Sequence, residues 1–518
     1  MSGALALLAR LDARAAERPD AVALVEPSGR AITRQALATR ARAIADGLVA
    51  TGMHPGDHAL FAIRPGVDAI VYMIGVVAAG GVLVAADLGT GDSVFAAQVA
   101  MSRPRWIIAE SLLLAASRST AVRRLARWRG LSLLPLGSLD GVRRIRVGHW
   151  LPGMGRATSE RALLRAGRAG GALHPHVDDT APAIIVFTSG TTAAPKGVVH
   201  SRRSIGATLG IIGAQLAFRL GDVLYSRDVH LILPALFAGA RVVVPPGGRY
   251  SPSRMLTSLV KHGVTHLFAV TAEARALAAH LTSRGGVIPG TVREVMIGAA
   301  PVRVDFLRGF QSVLPAGARA WCVYGMTELL PAAFVTLHEK LAHDGEGDLI
   351  GPPAEGVGVR IDADGELVLR GANLFAGYFG QPPVLEQRTG DLARIDAQGR
   401  IVLLGRAKDM IIRGRYNIYP ELHEPVIERI AGVARCAMVG VFDDASADER
   451  VVLAVEPDVG SAGSDVLARV RHALRPGASI IDESAAPDLI RLATLPTVGR
   501  SHKLDKQALR ARAREWLA

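Results

Sequence analysis

Lysine is almost missing from this chain. Of 518 residues only six are lysine: Lys196, Lys261, Lys340, Lys408, Lys503 and Lys506. Arginine carries nearly all the positive charge, and the formal net charge is +13. Aromatic residues are scarce too, at 5%. The basic clusters at Arg123–Arg129, Arg143–Arg146 and Arg156–Arg168 have no aromatic residues regularly interleaved. A nucleic-acid platform needs both features, so none is expected. The charge reads as a solvated basic face able to attract an anionic substrate or an acidic carrier protein. Cysteine occurs twice, as Cys322 and Cys436. Two isolated thiols exclude a disulfide framework and a cysteine metal site, and point to a reducing cytoplasm. Long apolar runs are lacking as well. The longest, Ala69–Ala86, is interrupted by Gly75, Gly80 and Gly81 and follows Asp68. It reads as a buried helix running into a strand, not a membrane span. Met1–Ala15 carries Arg10 and Arg14 with no small-residue cleavage site, so a helix is expected there, not a signal peptide.

What is present is a globular composition, 49% apolar and 21% charged. The length exceeds one hydrophobic core, so a large body and a smaller domain are expected. From Asp12 to about Ala109 helical stretches alternate with short apolar runs: a helix over Gln35–Thr51, a strand over Ala59–Ile63, a helix over Val67–Ala79, a strand over Val82–Ala86. This is the pattern of a parallel sheet with crossover helices. Residues 143–176 show little periodicity and read as a connector with a mobile glycine-rich part. The alternation resumes at Ile184–Phe187, with strands at Arg241–Val244, His266–Val270, Glu294–Ile297 and Ala320–Tyr324. Beyond about Gly351 the strands become short and antiparallel, with Gly turns. A boundary falls at Gly405–Asp409. The expected fold is α/β. A large N-terminal domain (1–405) of layered sheets carries a small β-barrel-like subdomain. A small mobile α+β domain (406–518) follows.

The strongest local signal is Thr188-Ser189-Gly190-Thr191-Thr192-Ala193-Ala194-Pro195-Lys196-Gly197. Ten residues after a buried strand offer four hydroxyls, two glycines and one lysine. Glycine lets backbone approach a ligand, and hydroxyls with free N–H groups suit phosphate oxygens. The string is not a Walker A loop, which has glycine before its lysine and a hydroxyl after it. Here Pro195 precedes Lys196 and Gly197 follows.

This string resembles the phosphate loop of the acyl-adenylate-forming superfamily: acyl- and aryl-CoA synthetases, peptide-synthetase adenylation domains and firefly luciferase. Four more segments follow in the same order, so the resemblance covers nearly the whole chain. In Tyr324-Gly325-Met326-Thr327-Glu328 it implies that Tyr324 stacks on adenine, Thr327 touches the α-phosphate and Glu328 helps hold Mg²⁺. In Thr389-Gly390-Asp391 it implies that Asp391 binds the ribose hydroxyls, and Gly298-Ala299-Ala300-Pro301 resembles the adenine-side loop. Gly405-Arg406-Ala407-Lys408-Asp409 resembles the hinge between domains, with Arg406 on ribose or phosphate and Lys408 at the rotating backbone. Gly499-Arg500-Ser501-His502-Lys503-Leu504-Asp505-Lys506 resembles the C-terminal segment whose lysine, here Lys503, enters the site during adenylation. Lysine placement supports this independently. Lys196, Lys408 and Lys503 stand where the resemblance has lysine, and a chain that otherwise uses arginine keeps lysine where a compact charge is needed.

The resemblance implies an AMP-forming acid–thiol ligase. ATP and Mg²⁺ activate a small-molecule carboxylic acid as acyl-AMP, with pyrophosphate released. The acyl group then passes to CoA or to the phosphopantetheine of an acyl carrier protein. Departures keep a second outcome open. Arg415 replaces a common glycine, Leu422 replaces a common glutamate, and Gly221–Gly239 is shortened, with His230 a pocket candidate by proximity alone. Arg500, His502 and Glu328-Leu329-Leu330-Pro331 resemble the β-lactone synthetase branch, in which the adenylate closes on the substrate's own hydroxyl. A non-catalytic nucleotide-binding protein is the third reading. The joint presence of Lys196, Glu328, Asp391, Arg406 and Lys503 argues against it.

Overall fold

The computed structural model describes all residues except 1–3, 86–91, 121, 125–135, 137–138, 171–176, 189–195, 249, 414–415, 444–447, 476–479, 482–484, 499–502 and 518. Two eight-stranded sheets form the body. One runs, edge to edge, Leu329–Thr336, Arg319–Met326, Glu294–Gly298, His266–Val270, Val223–Tyr225, Arg241–Val243, Val22–Val25 and Ala31–Thr33. Its inner strands are parallel and its two outermost pairings antiparallel. The other centres on the parallel strands Pro182–Thr188, Val82–Ala85, His58–Ala62 and Trp106–Glu110. The largest apolar cluster joins residues of both sheets, such as Leu24 and Leu83, with the helices Arg34–Ala50, Val67–Ala78, Arg202–Leu216 and Val229–Phe237. Those helices lie between the sheets. Because the strands are covered on both faces, they read as continuous apolar runs.

Helix Arg34–Ala50 shows how local sequence sets these elements. Thr33 caps its start by accepting from the Ala36 N–H at 3.2 Å. Leu37, Ala41, Ile44 and Leu48 recur at helical spacing and are buried. Its end falls at Thr51, followed by Gly52 at φ +93°.

The stretch 143–176 is not a plain connector. Arg143–Val147 extends the second sheet as a parallel strand beside Trp106–Glu110. Glu160–Gly170 is a helix packed on Arg34–Ala50. Leu163 is buried, and a Cβ on Gly47 would come within 2.5 Å of the Leu163 carbonyl. Glycines here permit close helix contact instead of breaking the helix. Arg40 and Glu160 pair at 2.6 Å to close the contact. The glycine-rich part expected to be mobile, 171–176, lies outside the described residues.

After residue 348 a five-stranded antiparallel sheet appears, in the order Asp348–Gly351, Ile401–Arg406, Gln387–Ile395, Glu366–Gly371, Val357–Ile361. Beyond it, two apolar clusters are built wholly from residues 411–517, around Val433–Asp443, Asp448–Pro457 and the final helix Lys506–Leu517. Among the described residues no helix is long and apolar enough to cross a membrane.

Candidate active site

A cleft of about 2300 Å³ separates the body from the C-terminal residues. Ala299, Ala300 and Thr327 line it from one side, Arg406 from the end of strand Ile401–Arg406 and Lys503 from the other side. Ion pairs Arg303–Glu428 at 3.0 Å and Arg429–Asp305 at 3.7 Å span the two halves.

Asp391 lies at the centre of the polar network. In the antiparallel pairing of Gln387–Ile395 with Ile401–Arg406, residue 391 stands directly opposite 406. That register gives the Arg406–Asp391 ion pair at 2.6 Å. The Tyr324 hydroxyl donates to the other Asp391 oxygen at 2.5 Å. Asp391 is only 5% exposed. Burial, with Asp391 beside it, pushes the Tyr324 phenol well above its ordinary pKa. Tyr324 thus does more than offer a ring face: it fixes the aspartate.

Lys503 begins the short strand Lys503–Leu504, paired with Thr497–Val498. Burial lowers its pKa, the Arg406 charge lowers it further, and Asp391 opposes both. The structure therefore brings Lys503 within electrostatic reach of the Asp391–Arg406 pair, although some hundred residues separate them in sequence.

Glu328 is buried at 9% exposure and held at two points. The Tyr378 hydroxyl donates to its carboxylate at 2.9 Å. The Phe375 N–H donates to its backbone carbonyl at 2.8 Å. Next to it, the buried His200 Nε2 contacts the Thr327 carbonyl at 2.7 Å. A carbonyl only accepts, so His200 carries its proton on Nε2. Burial holds the His200 pKa below the ordinary value, which keeps the ring neutral.

The segment Gly298-Ala299-Ala300-Pro301 is pinned by Thr271, whose hydroxyl donates to the Ala300 carbonyl at 3.0 Å. Ala299 sits at φ +66°, the left-handed region. A non-glycine residue there loses about 1–2 kcal/mol, while glycine's extra unfolded-state freedom returns about 0.4–1. Ala299→Gly is expected to stabilise the protein by about 0.5–1 kcal/mol in urea titration. A destabilised variant would mean that the methyl group makes a packing contact worth more than the backbone strain. Gly325 has no room for a side chain: a Cβ would meet Leu330 Cδ1 at 2.7 Å.

Lys196 pairs in register with Thr188, and its ammonium lies 5.3 Å from the centre of the Tyr378 ring. Ser189, Gly190, Thr191 and Thr192 fall outside the described residues, as do Arg415, Arg500 and His502. Lys408 lies in the single turn Ala407–Asp409. Gly298 ends the strand Glu294–Gly298. His230 lies at the start of helix Val229–Phe237, where burial lowers its pKa against the opposing pull of Asp228. Leu329, Ala332 and Ala333, which follow Glu328 in the chain, belong to the main apolar core. Tyr378, His200 and Thr271 escaped sequence reasoning. They act through partners that only strand pairing brings near.

Among the described residues no group of three or more His, Cys, Asp and Glu side chains is placed to hold a metal ion. Apart from Asp391, which Arg406 and Tyr324 engage, the site offers the firmly placed carboxylate of Glu328. This fits Mg²⁺ bound together with nucleotide phosphates, since that ion keeps several waters and takes one or two carboxylates.

The family model described as AMP-binding enzyme matches residues 11–379. An olefin beta-lactone synthetase from Stenotrophomonas maltophilia (strain K279a) is 30% identical over 519 residues, covering 89% of each chain. A feruloyl-CoA synthase from an Amycolatopsis species is 28% identical, over 89% of this chain and 91% of its own. The crystal structure of ATP-bound MatB from Rhodopseudomonas palustris superposes with a TM-score of 0.76 at 23% identity, over 99% of both chains.

Proposed function

The chain belongs to the AMP-binding enzyme family, and on that footing we propose that it activates a carboxylic acid as acyl-AMP and passes the acyl group to a thiol. The observation that carries this reading is the meeting of Lys503 with the Asp391–Arg406 pair in the cleft that Thr327 lines.

In the first half-reaction an acid oxygen forms a bond to the α-phosphorus of ATP. The bond to the bridging oxygen breaks, and pyrophosphate leaves with that electron pair. No base is required, because the acid is already ionised. Two anions must approach, so fixed positive charge matters most. Asp391 and Arg406 hold the ribose, with Tyr324 bracing the aspartate. Thr327 and the residues Thr188 to Thr192 receive phosphate oxygens. Lys503 lies between the acid oxygen and the α-phosphate, and Lys196 faces the departing pyrophosphate. Mg²⁺ at Glu328 supplies charge neutralisation of the triphosphate when bound.

In the second half-reaction a thiol attacks the acyl carbonyl and AMP leaves. We place the domain boundary at 405/406, with Lys408 as the pivot that withdraws Lys503. The self-contained apolar clusters of residues 411–517 support this division. CoA is the first choice of acceptor and a carrier-protein phosphopantetheine the second.

A second reading has one specific observation in its favour, the likeness to an olefin beta-lactone synthetase over 89% of the chain. In it a 3-hydroxy acid is adenylated, its own hydroxyl oxygen attacks the carbonyl, and AMP leaves without any thiol. One assay separates the two. Pyrophosphate and AMP release are followed across acids of several chain lengths, aryl acids and 3-hydroxy acids, with and without CoA. AMP release that requires CoA is expected. Thiol-independent AMP release confined to 3-hydroxy acids selects ring closure. No pyrophosphate from any acid rejects both.

A further inference from the structure

Tyr378 stands between the two groups assigned to the triphosphate, and strand pairing explains why. Gly377–Tyr378 pairs antiparallel with Lys196–Ser201, with Tyr378 opposite Val198. Lys196 is two residues from Val198, so its side chain projects on the same face as the diagonal neighbour of Tyr378. The ammonium thereby reaches the ring face, 5.3 Å from its centre. The far end of the ring carries the hydroxyl that donates to Glu328 Oε1 at 2.9 Å. The edge of the ring is held by Phe375, with centroids 4.9 Å apart and planes at 70°. Phe375 in turn donates its N–H to the Glu328 carbonyl. One short segment, 375–378, therefore grips Glu328 at backbone and side chain and seats Lys196.

A lysine and a glutamate that serve one phosphate group are prone to pair with each other when it is absent. Among the described residues the lysine ion pairs are those of Lys340 and Lys506; Lys196 and Glu328 are instead engaged on opposite parts of one phenol. We propose that Tyr378 is a positioning residue of the adenylation site. Its hydroxyl orients the Glu328 carboxylate for a divalent cation, and its ring seats Lys196 and keeps the two opposite charges apart. This inference rests on the adenylation reading.

The test uses full-length wild type, Tyr378→Phe and Tyr378→Leu. ATP binding is measured by calorimetry at graded Mg²⁺ and in chelator, beside acid-dependent pyrophosphate release. Tyr378→Phe keeps the ring and its Phe375 contact, so its fold is retained. It is expected to bind ATP in chelator like wild type and to need roughly tenfold more Mg²⁺ for half-maximal tightening, because a hydrogen bond to a charged group is lost. Its kcat for pyrophosphate release falls by about the same factor while KM for ATP is unchanged. Tyr378→Leu is expected to lose ATP affinity in chelator as well, since Lys196 is freed to pair with Glu328. A wild-type Mg²⁺ titration in Tyr378→Phe overturns the role of the hydroxyl, and that variant decides the matter if Tyr378→Leu does not fold. Equal chelator affinities for the two variants overturn the role of the ring. Absence of ATP binding by wild type rejects the adenylation reading itself, and this inference with it.

Discussion

Lys503→Ala is expected to abolish acid-dependent pyrophosphate exchange while leaving thioester formation from pre-made acyl-adenylate nearly intact. The first effect should reach at least about 10²-fold, the scale for removing one preorganised group that stabilises transition-state charge. The reasoning starts from charge. A carboxylate and a triphosphate repel as they approach, and the Lys503 ammonium is a cation of the C-terminal residues within electrostatic reach of the Asp391–Arg406 pair. Burial and Arg406 lower its pKa, so the charged form is lost at a lower pH than for an ordinary lysine. The alkaline limb of the exchange reaction should therefore lie below the usual lysine range, and Arg406→Gln should move it upward. Thioester formation needs no such cation, because the leaving AMP is already activated. An equal fall in both half-reactions would remove Lys503 from its assigned role.

Why was Lys503 legible when Tyr378 was not? Scarcity made lysine informative. A chain with 60 basic residues and six lysines uses lysine where arginine will not serve. The structure sharpens that inference. Lys503 lines the cleft and Lys196 lies over the Tyr378 ring, neither of them in an ion pair among the described residues, whereas Lys340 and Lys506, which also line the cleft, are spent on ion pairs with Asp348 and Glu424. Compact charge is thus used for two purposes, and the sequence separates them only through flanking motifs. Asp391 and Arg406 were legible only through the two separate motifs that hold them, and their direct pairing depends on a register shift between Leu392 and Ala393 that no composition rule gives. Tyr378 sits in a two-residue strand whose partner lies 180 residues earlier, beyond any local pattern. The helix Glu160–Gly170 was missed for a different reason: Gly167 lowers helix propensity but lies buried against Gly47, and tertiary packing overrode the local preference.

Lys506→Met should give the largest loss of stability among the substitutions considered. Lys506 opens the last helix, and its ammonium donates to Glu424 Oε1 at 2.9 Å, with the two side chains 11% and 8% exposed. The same oxygen accepts from the Met438 N–H at 2.8 Å, which ties helix Pro420–Ile427 to the edge strand Val433–Asp443 of the C-terminal sheet. Burial disfavours the ammonium, but Glu424 and Asp409 outweigh it and raise its pKa. Removing the lysine leaves a buried carboxylate without its counter-ion, at a cost of about 3–5 kcal/mol. The pH sign follows. A raised lysine pKa contributes stability that is complete below the unfolded value of about 10.4 and is lost as pH rises through the folded value. The difference between wild type and Lys506→Met should therefore be flat from neutral pH to the onset of lysine titration and shrink above it. Glu424→Gln should cost less, because Asp409 and Glu421 still face the ammonium. Adding Glu424→Gln to Lys506→Met should recover part of the loss, since the unpaired carboxylate is then gone. Urea titration of the four proteins measures all of this. A Lys506→Met cost within about 0.5 kcal/mol, the range of an ordinary surface substitution, would show that the pair does not brace the Lys503 segment. With the brace lost, adenylation should fall while ATP binding to the body persists, because Lys503 lies three residues ahead of Lys506 and depends on that anchor for its place in the cleft.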